Sequence, residues 1–308
     1  MALAANGSSL NGVQKKLFEL SQKRLEKFAA LFPCVLIRDD PETIHDARVG
    51  SRRLQQILRV LFPKPASKKC RKLIRLLRKV RRALGDCRNH DVMAELIQEK
   101  IAASGNPVVR DAWDQLKIQV QEKQKRELIR ARAELSHCDI VDFVNRANHL
   151  LASAESPAEI ESALTKSITR ALEEWTEAVD ATKEGPTPEQ VHALRIAGKR
   201  LRYRVELLAE LGDGPAKART KTLKVLQDQL GQWHDHFMLV RLAAKFLSRS
   251  DFLVAHPDLS RALLVEMERE RRRNDTAVSN ILKSAEKIRD AWAEAETKPA
   301  PEIASQEG

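Results

Sequence analysis

A stretch that occurs twice constrains this chain more than any other feature. Residues 40–54 read Asp-Pro-Glu-Thr-Ile-His-Asp-Ala-Arg-Val-Gly-Ser-Arg-Arg-Leu, and residues 187–201 read Thr-Pro-Glu-Gln-Val-His-Ala-Leu-Arg-Ile-Ala-Gly-Lys-Arg-Leu. Pro41/Pro188, Glu42/Glu189, His45/His192, Arg48/Arg195, Arg53/Arg200 and Leu54/Leu201 are identical, where average residue usage predicts roughly one identity. Such self-similarity at a fixed offset marks an internal duplication. Each copy opens with a capping side chain, Asp40 or Thr187, and then a proline, which suits the first helical position because its missing N–H would have had no partner there. On a helix His45, Arg48 and Arg52 are related by steps of three and four, as are His192, Arg195 and Lys199, so each set forms one polar stripe. Ile44, Ala47, Leu54, Leu58 and Leu61 form a separate apolar stripe that can face a core.

The surrounding chain reads as helix throughout. Sustained alternation of β-branched residues is lacking, so the expected class is all-α. Residues 1–12 are expected to be unstructured, and 13–32 to form a helix that Pro33 ends. The first motif helix should run to Leu61 and stop at Phe62-Pro63-Lys64-Pro65. In the next helix Leu73, Leu77, Val80 and Leu84 lie opposite Arg71, Arg75, Arg78 and Arg82. Leu84-Gly85 then reads as a helix stop, and Leu230-Gly231 as its counterpart in the second half. Lys217, Lys221 and Lys224 match Arg71, Arg75 and Arg78, although Asp228 falls where Arg82 predicts a cation. The expected organisation is a first helical repeat over 13–155, a second over 156–295 and an unstructured tail over 296–308. Short loops between long helices imply antiparallel neighbours, hence two bundles related by a pseudo-two-fold axis.

A net charge of +11 points to a polyanionic partner. Cys34, Cys70, Cys87 and Cys138 are far apart with no C-x-x-C, so reduced thiols in the cytoplasm are expected rather than a zinc site or a disulfide framework. No run approaches eighteen apolar residues and the N-terminus lacks a basic leader, which argues against a membrane span or export. The four tryptophans, Trp113, Trp175, Trp233 and Trp292, are expected in cores.

The segments I-H-D-A-R-V-G-S-R-R-L, V-H-A-L-R-I-A-G-K-R-L, L-G-D-C-R-N-H-D-V and L-G-Q-W-H-D-H, in this order, resemble the CHAD family, the conserved histidine α-helical domain. The resemblance covers residues 13–290. It implies two four-helix bundles around a basic central groove or pore that binds inorganic polyphosphate. By that resemblance His45, Arg48, Arg52, Arg53, His192, Arg195, Lys199 and Arg200 line the ligand, and Arg75, Arg78, Lys221 and Lys224 extend the same surface; Arg71, Arg82, Arg88, Arg202, Lys217 and His234 are further candidate polyphosphate-binding residues. Asn89 stands where an aspartate is commoner in the family, and Phe237 where the first half has Asp91.

The physical chemistry agrees with that expectation. A phosphate polymer carries closely spaced charge and no bases, so its binder needs little beyond packed cationic donors; arginine offers forked donors and lysine a point charge. Nucleic-acid binding is the nearest alternative. Against it, Tyr203 is the chain's only tyrosine and the basic stripes lack stacking platforms. Histidine phosphotransfer or an accessory role in phosphate metabolism is another alternative. No Asp/Glu/His spacing supplies a metal or carboxylate constellation for phosphatase chemistry, so no catalytic residue, metal or cofactor is expected. The sequence thus predicts a non-enzymatic, cytoplasmic polyphosphate binder associated with polyphosphate granules.

Overall fold

The structure, a computed structural model, describes residues 10–62, 67–153 and 157–297. Eleven helices and no strand occur among the described residues: α1 (Leu10–Ile37), α2 (Pro41–Leu61), α3 (Lys68–Ala83), α4 (Gly85–Ala103), α5 (Pro107–Leu135), α6 (Ile140–Leu151), α7 (Pro157–Asp180), α8 (Pro188–Leu211), α9 (Gly214–Leu247), α10 (Ser250–Ala255) and α11 (Pro257–Thr297). The expectations for 1–9, 63–66 and 298–308 lie outside the described residues. Residues 10–12 and 296–297, expected to be unstructured, are helical.

Local chemistry sets several helix starts. Asp40 accepts from the backbone N–H groups of Glu42 and Thr43 at 3.1 Å each, ahead of Pro41. Thr187 and Gln190 form a reciprocal capping box ahead of Pro188. Ser67, Asn106 and Asp139 cap α3, α5 and α6 in the same way. Each cap satisfies donors that the first helical turn leaves without partners. The end of α8 is equally explicit, since Gly212 adopts φ 106°, a left-handed conformation that favours glycine.

Two expected stops are absent. Pro33 lies inside α1, which continues for another turn. Pro33 is exposed, so the carbonyl it cannot satisfy can meet water, while Phe32 and Val35 are buried and hold the last turn in place. Arg132 of α5 completes that end, donating from Nε to the Val35 carbonyl at 3.1 Å and from Nη2 to the Arg38 carbonyl. Gly231 likewise sits inside α9, with buried Leu226, Leu230 and Trp233 spanning it. Burial on both sides outweighs the ~1 kcal/mol that a mid-helix glycine costs. Leu84-Gly85 does separate α3 from α4, so the two leucine-glycine segments differ in structure.

The chain packs as two compact units, whose boundaries fall within α7, α9 and α11. Among the described residues, the larger extends to Ser167 and takes in Trp233–Asn274; the smaller holds Ile168–Gln232 and residues 275–297. This division differs from the sequence repeat, because Trp233–Asn274 falls in the second repeat yet packs with the first. In the larger unit Trp113, Leu116 and Val120 of α5 join Ile97 of α4, Leu239 and Phe246 of α9, and Leu263 of α11 in one core. A second contact set brings Phe28 of α1 against Phe143 of α6, edge to face at 5.6 Å. In the smaller unit Trp175 of α7 is wholly buried against α8 at Gly198. A Cβ there would lie 2.8 Å from the Trp175 ring and collide with Gln227, so α8 depends on glycine for this approach. All four tryptophans are buried.

Candidate functional site

In the larger unit the first motif helix and the arginine-rich helix form one cationic seam. On α3, Cys70, Leu73, Ile74, Leu77 and Val80 are buried, which turns Arg71, Arg75, Arg78 and Arg82 outward to solvent. On α2, Ile44, Ala47, Leu54, Ile57, Leu58 and Leu61 are buried, leaving His45, Arg48, Arg52 and Arg53 partly exposed. Arg48 Nη1 donates to the Arg81 carbonyl at 2.7 Å, so this guanidinium satisfies one of the last carbonyls of α3. A Cβ on Gly85 would sit 3.3 Å from that same Nη1, and the glycine therefore leaves room for the guanidinium. Burial and then the charges of Arg52 and Arg88 push the Arg48 pKa down, partly offset by Asp86.

Arg81, which the stripe reading passed over, belongs to this seam. Its guanidinium donates to Gln55 of α2. Burial, followed by the charges of Arg52, Arg59, Arg78 and Arg48, lowers its pKa to about 10. Burial, reinforced by neighbouring guanidinium charges on two helices, thus makes Arg48 and Arg81 harder to protonate. The signal that could have revealed Arg81 was its place between Arg78 and Arg82, rotated toward α2.

The remaining candidates in this unit are less exposed to a ligand. Arg88 is mostly buried and approaches Glu95 at 3.5 Å. The backbone carbonyl of Arg53 accepts from Arg24 Nη1 at 3.1 Å, while its own Nε is buried without a hydrogen-bond partner among the described residues. His234 is partly buried beside the Trp233 ring. Its neighbour His236 engages Glu270 at 3.0 Å, and Lys100 reaches the other oxygen of that carboxylate at 2.6 Å. Burial would raise the Glu270 pKa, but hydrogen bonds from His236 and Lys100 hold it at about 2. His236 is therefore part of an internal ion network.

In the smaller unit the second motif helix repeats part of the pattern. His192, Arg195 and Lys199 are partly buried along α8, and burial, then the charges of Arg195 and Lys199, lower the His192 pKa. Below its ordinary value, this imidazole is neutral at physiological pH, so its presence adds no cation there. Lys217, Lys221 and Lys224 are exposed along α9. Arg200 and Arg202 are engaged elsewhere. Arg200 pairs with Glu174 at 2.8 Å, and Arg202 pairs with Glu206 while its guanidinium lies 4.5 Å from the centre of the Tyr203 ring.

No group of three or more His, Cys, Asp or Glu side chains is arranged to hold a metal ion among the described residues. No described helix is long and apolar enough to cross a membrane. Burial raises the thiol pKa values of Cys70 and Cys87 to about 11 and about 12, so neither is poised as a nucleophile.

Among curated protein sequences none matches this chain. Among solved structures, the crystal structure of the CHAD domain from the plant Ricinus communis is similar, with a TM-score of 0.57 at 18% identity over 91% of this chain and 92% of that one. The likeness is one of fold. The CHAD domain family model matches residues 19–244, a span that includes both motif helices and the arginine-rich helix between them. With that match over most of its length, the chain belongs to the CHAD family.

Proposed function

We propose that this protein binds inorganic polyphosphate without catalysing a reaction on it. The CHAD family is linked to polyphosphate binding in general, and the observation that carries the reading is the arginine seam of α2 and α3. Arg81 is partly buried between the two packed helices, and the charges of Arg52, Arg59, Arg78 and Arg48 all act on it. A polyanion lying along the seam would offset this concentration of positive charge, which favours binding. Exposed Arg71, Arg75 and Arg82 extend the seam along α3 and present forked donors that match phosphate oxygens. In the smaller unit Arg195 and Lys199 of α8 and the lysine row of α9 supply further cations. A linear polymer suits such rows better than a compact ligand does.

The sparse aromatic content of these faces favours a phosphate chain over nucleic acid, since no ring is placed along α3 to stack a base. Association with polyphosphate granules in the cytoplasm follows from this reading. A titration with long-chain polyphosphate, tripolyphosphate and duplex DNA at several salt concentrations tests it. Long-chain polyphosphate should bind most tightly, with affinity falling steeply as salt rises. Equal or tighter binding of DNA would overturn the reading.

A further inference from the structure

Arg81 is held at both ends by the first motif helix. Its carbonyl accepts from Arg48 Nη1 at 2.7 Å, and its guanidinium donates to Gln55 Oε1. Arg48 and Gln55 stand two turns apart on α2, so one face of that helix grips one residue of α3. Gln55 is 5% exposed, and nothing about a buried position next to an arginine excludes a carboxylate in its place. Elsewhere in the same unit, arginines at helix surfaces take carboxylate partners: Arg146 pairs with Asp142 at 2.7 Å and Arg273 with Glu270 at 2.8 Å. A carboxylate orients a guanidinium but also cancels its charge. An amide oxygen orients it and leaves the charge intact.

We propose that Gln55 is a positioning residue for the anion site, a neutral acceptor that aims Arg81 into the α2–α3 seam at full charge, where Arg81 contacts a phosphoryl group directly. This rests on the polyphosphate reading above and adds two residues to it. Burial, and then the charges of Arg52, Arg59, Arg78 and Arg48, act on Arg81 with no carboxylate among these causes to offset them, in keeping with a neutral orienting partner. Replacing the amide by a carboxylate changes a few atoms and no shape, yet it removes one unit of net positive charge from the seam.

The test is a titration of the full-length protein with tripolyphosphate over a range of salt, for wild type, Gln55→Glu, Gln55→Met, Arg81→Gln and Arg81→Lys, with circular dichroism to confirm helical content. Gln55→Glu and Arg81→Gln should each weaken binding about tenfold and each lower the salt dependence by about one ion. Gln55→Met should weaken binding with the salt dependence unchanged, because the charge remains but its aim is lost. Arg81→Lys should keep the salt dependence and lose affinity, since a point charge replaces a fork. A clamp that merely packs the helices predicts an unchanged salt dependence for Gln55→Glu, and that result overturns the proposal. Should Gln55→Glu not fold, wild-type affinity and salt dependence in Arg81→Gln would overturn it equally. Failure of wild type to bind tripolyphosphate or the longer polymer would instead remove the functional reading on which the inference stands.

Discussion

Helix α3 and residues 266–273 of α11 are both crowded with arginine, belong to the same compact unit and have opposite electrostatics. Along α11, Arg269 pairs with Glu266, Arg271 and Arg272 both grip Glu268, and Arg273 pairs with Glu270. Hydrogen bonds from Arg271 and Arg272 lower the Glu268 pKa to about 2. Along α3 there are nine lysines and arginines in sixteen residues and no acid at all. Its buried-side arginine is instead oriented by an amide and its neighbour's side chain by a backbone carbonyl. The difference shows that arginine content says little until each guanidinium's acceptor is known. Carboxylate acceptors make a self-contained surface, whereas neutral acceptors leave charge that an outside anion can use.

The strongest way to break this contrast is to remove matched sets of cations. Replacing Arg75, Arg78 and Arg82 by glutamine should cost about tenfold in polyphosphate affinity for each arginine, about a thousandfold together. Replacing Arg269, Arg271 and Arg272 should leave affinity within about twofold. Isothermal titration reads both, and equal losses would dissolve the distinction.

A second experiment sharpens the contrast within α11 itself. Glu270 is 2% exposed and holds Lys100, His236 and Arg273, whereas Glu268 lies at the surface. The folded-state pKa of Glu270 is about 2, below its ordinary 4.5, so the unfolded chain takes up the proton first. The resulting stability, up to about 3 kcal/mol, is present above pH 4.5 and disappears as pH falls toward 2. Urea denaturation at pH 7, 4.5 and 2.5 should show Glu270→Gln less stable at pH 7 and converging with wild type at pH 2.5. Glu268→Gln should track wild type at every pH, because exposed pairs contribute little.

The smallest expected effect lies at the end of α3. Gly85→Ala places a methyl group 3.3 Å from Arg48 Nη1, so the guanidinium must shift by a few tenths of an ångström. Polyphosphate affinity should fall about twofold to threefold, with the melting temperature nearly unchanged. A drop as large as that from losing an α3 arginine would mean that the position of Arg48, rather than the outward row, dominates the site.

The repeated motif made the two central helices legible in sequence, because Asp40-Pro41 and Thr187-Pro188 carry their own start signals and the apolar stripe names the buried face. Pro33 and Gly231 misled for a common reason. Local propensity there amounts to about 3 kcal/mol at Pro33 and ~1 kcal/mol at Gly231, and burial of Phe32 and Val35 or of Leu230 and Trp233 offsets it. The outward arginines of α3 were readable from periodicity alone. Arg81 and Gln55 were not, since their roles depend on the packing of α2 against α3, and periodicity describes one helix at a time. Arg202 is the converse case: Glu206 stands four residues on, so its ion pair was already written in the sequence.

The membership of Trp233–Asn274 in the larger unit has a practical consequence for dissecting this protein. A fragment ending at the sequence-repeat boundary would leave Trp113, Leu116 and Ile97 without the wall that Leu239, Phe246 and Leu263 provide. Such a truncation uncovers a greasy surface and should precipitate when expressed, so the halves suggested by the gene are poor units for cloning.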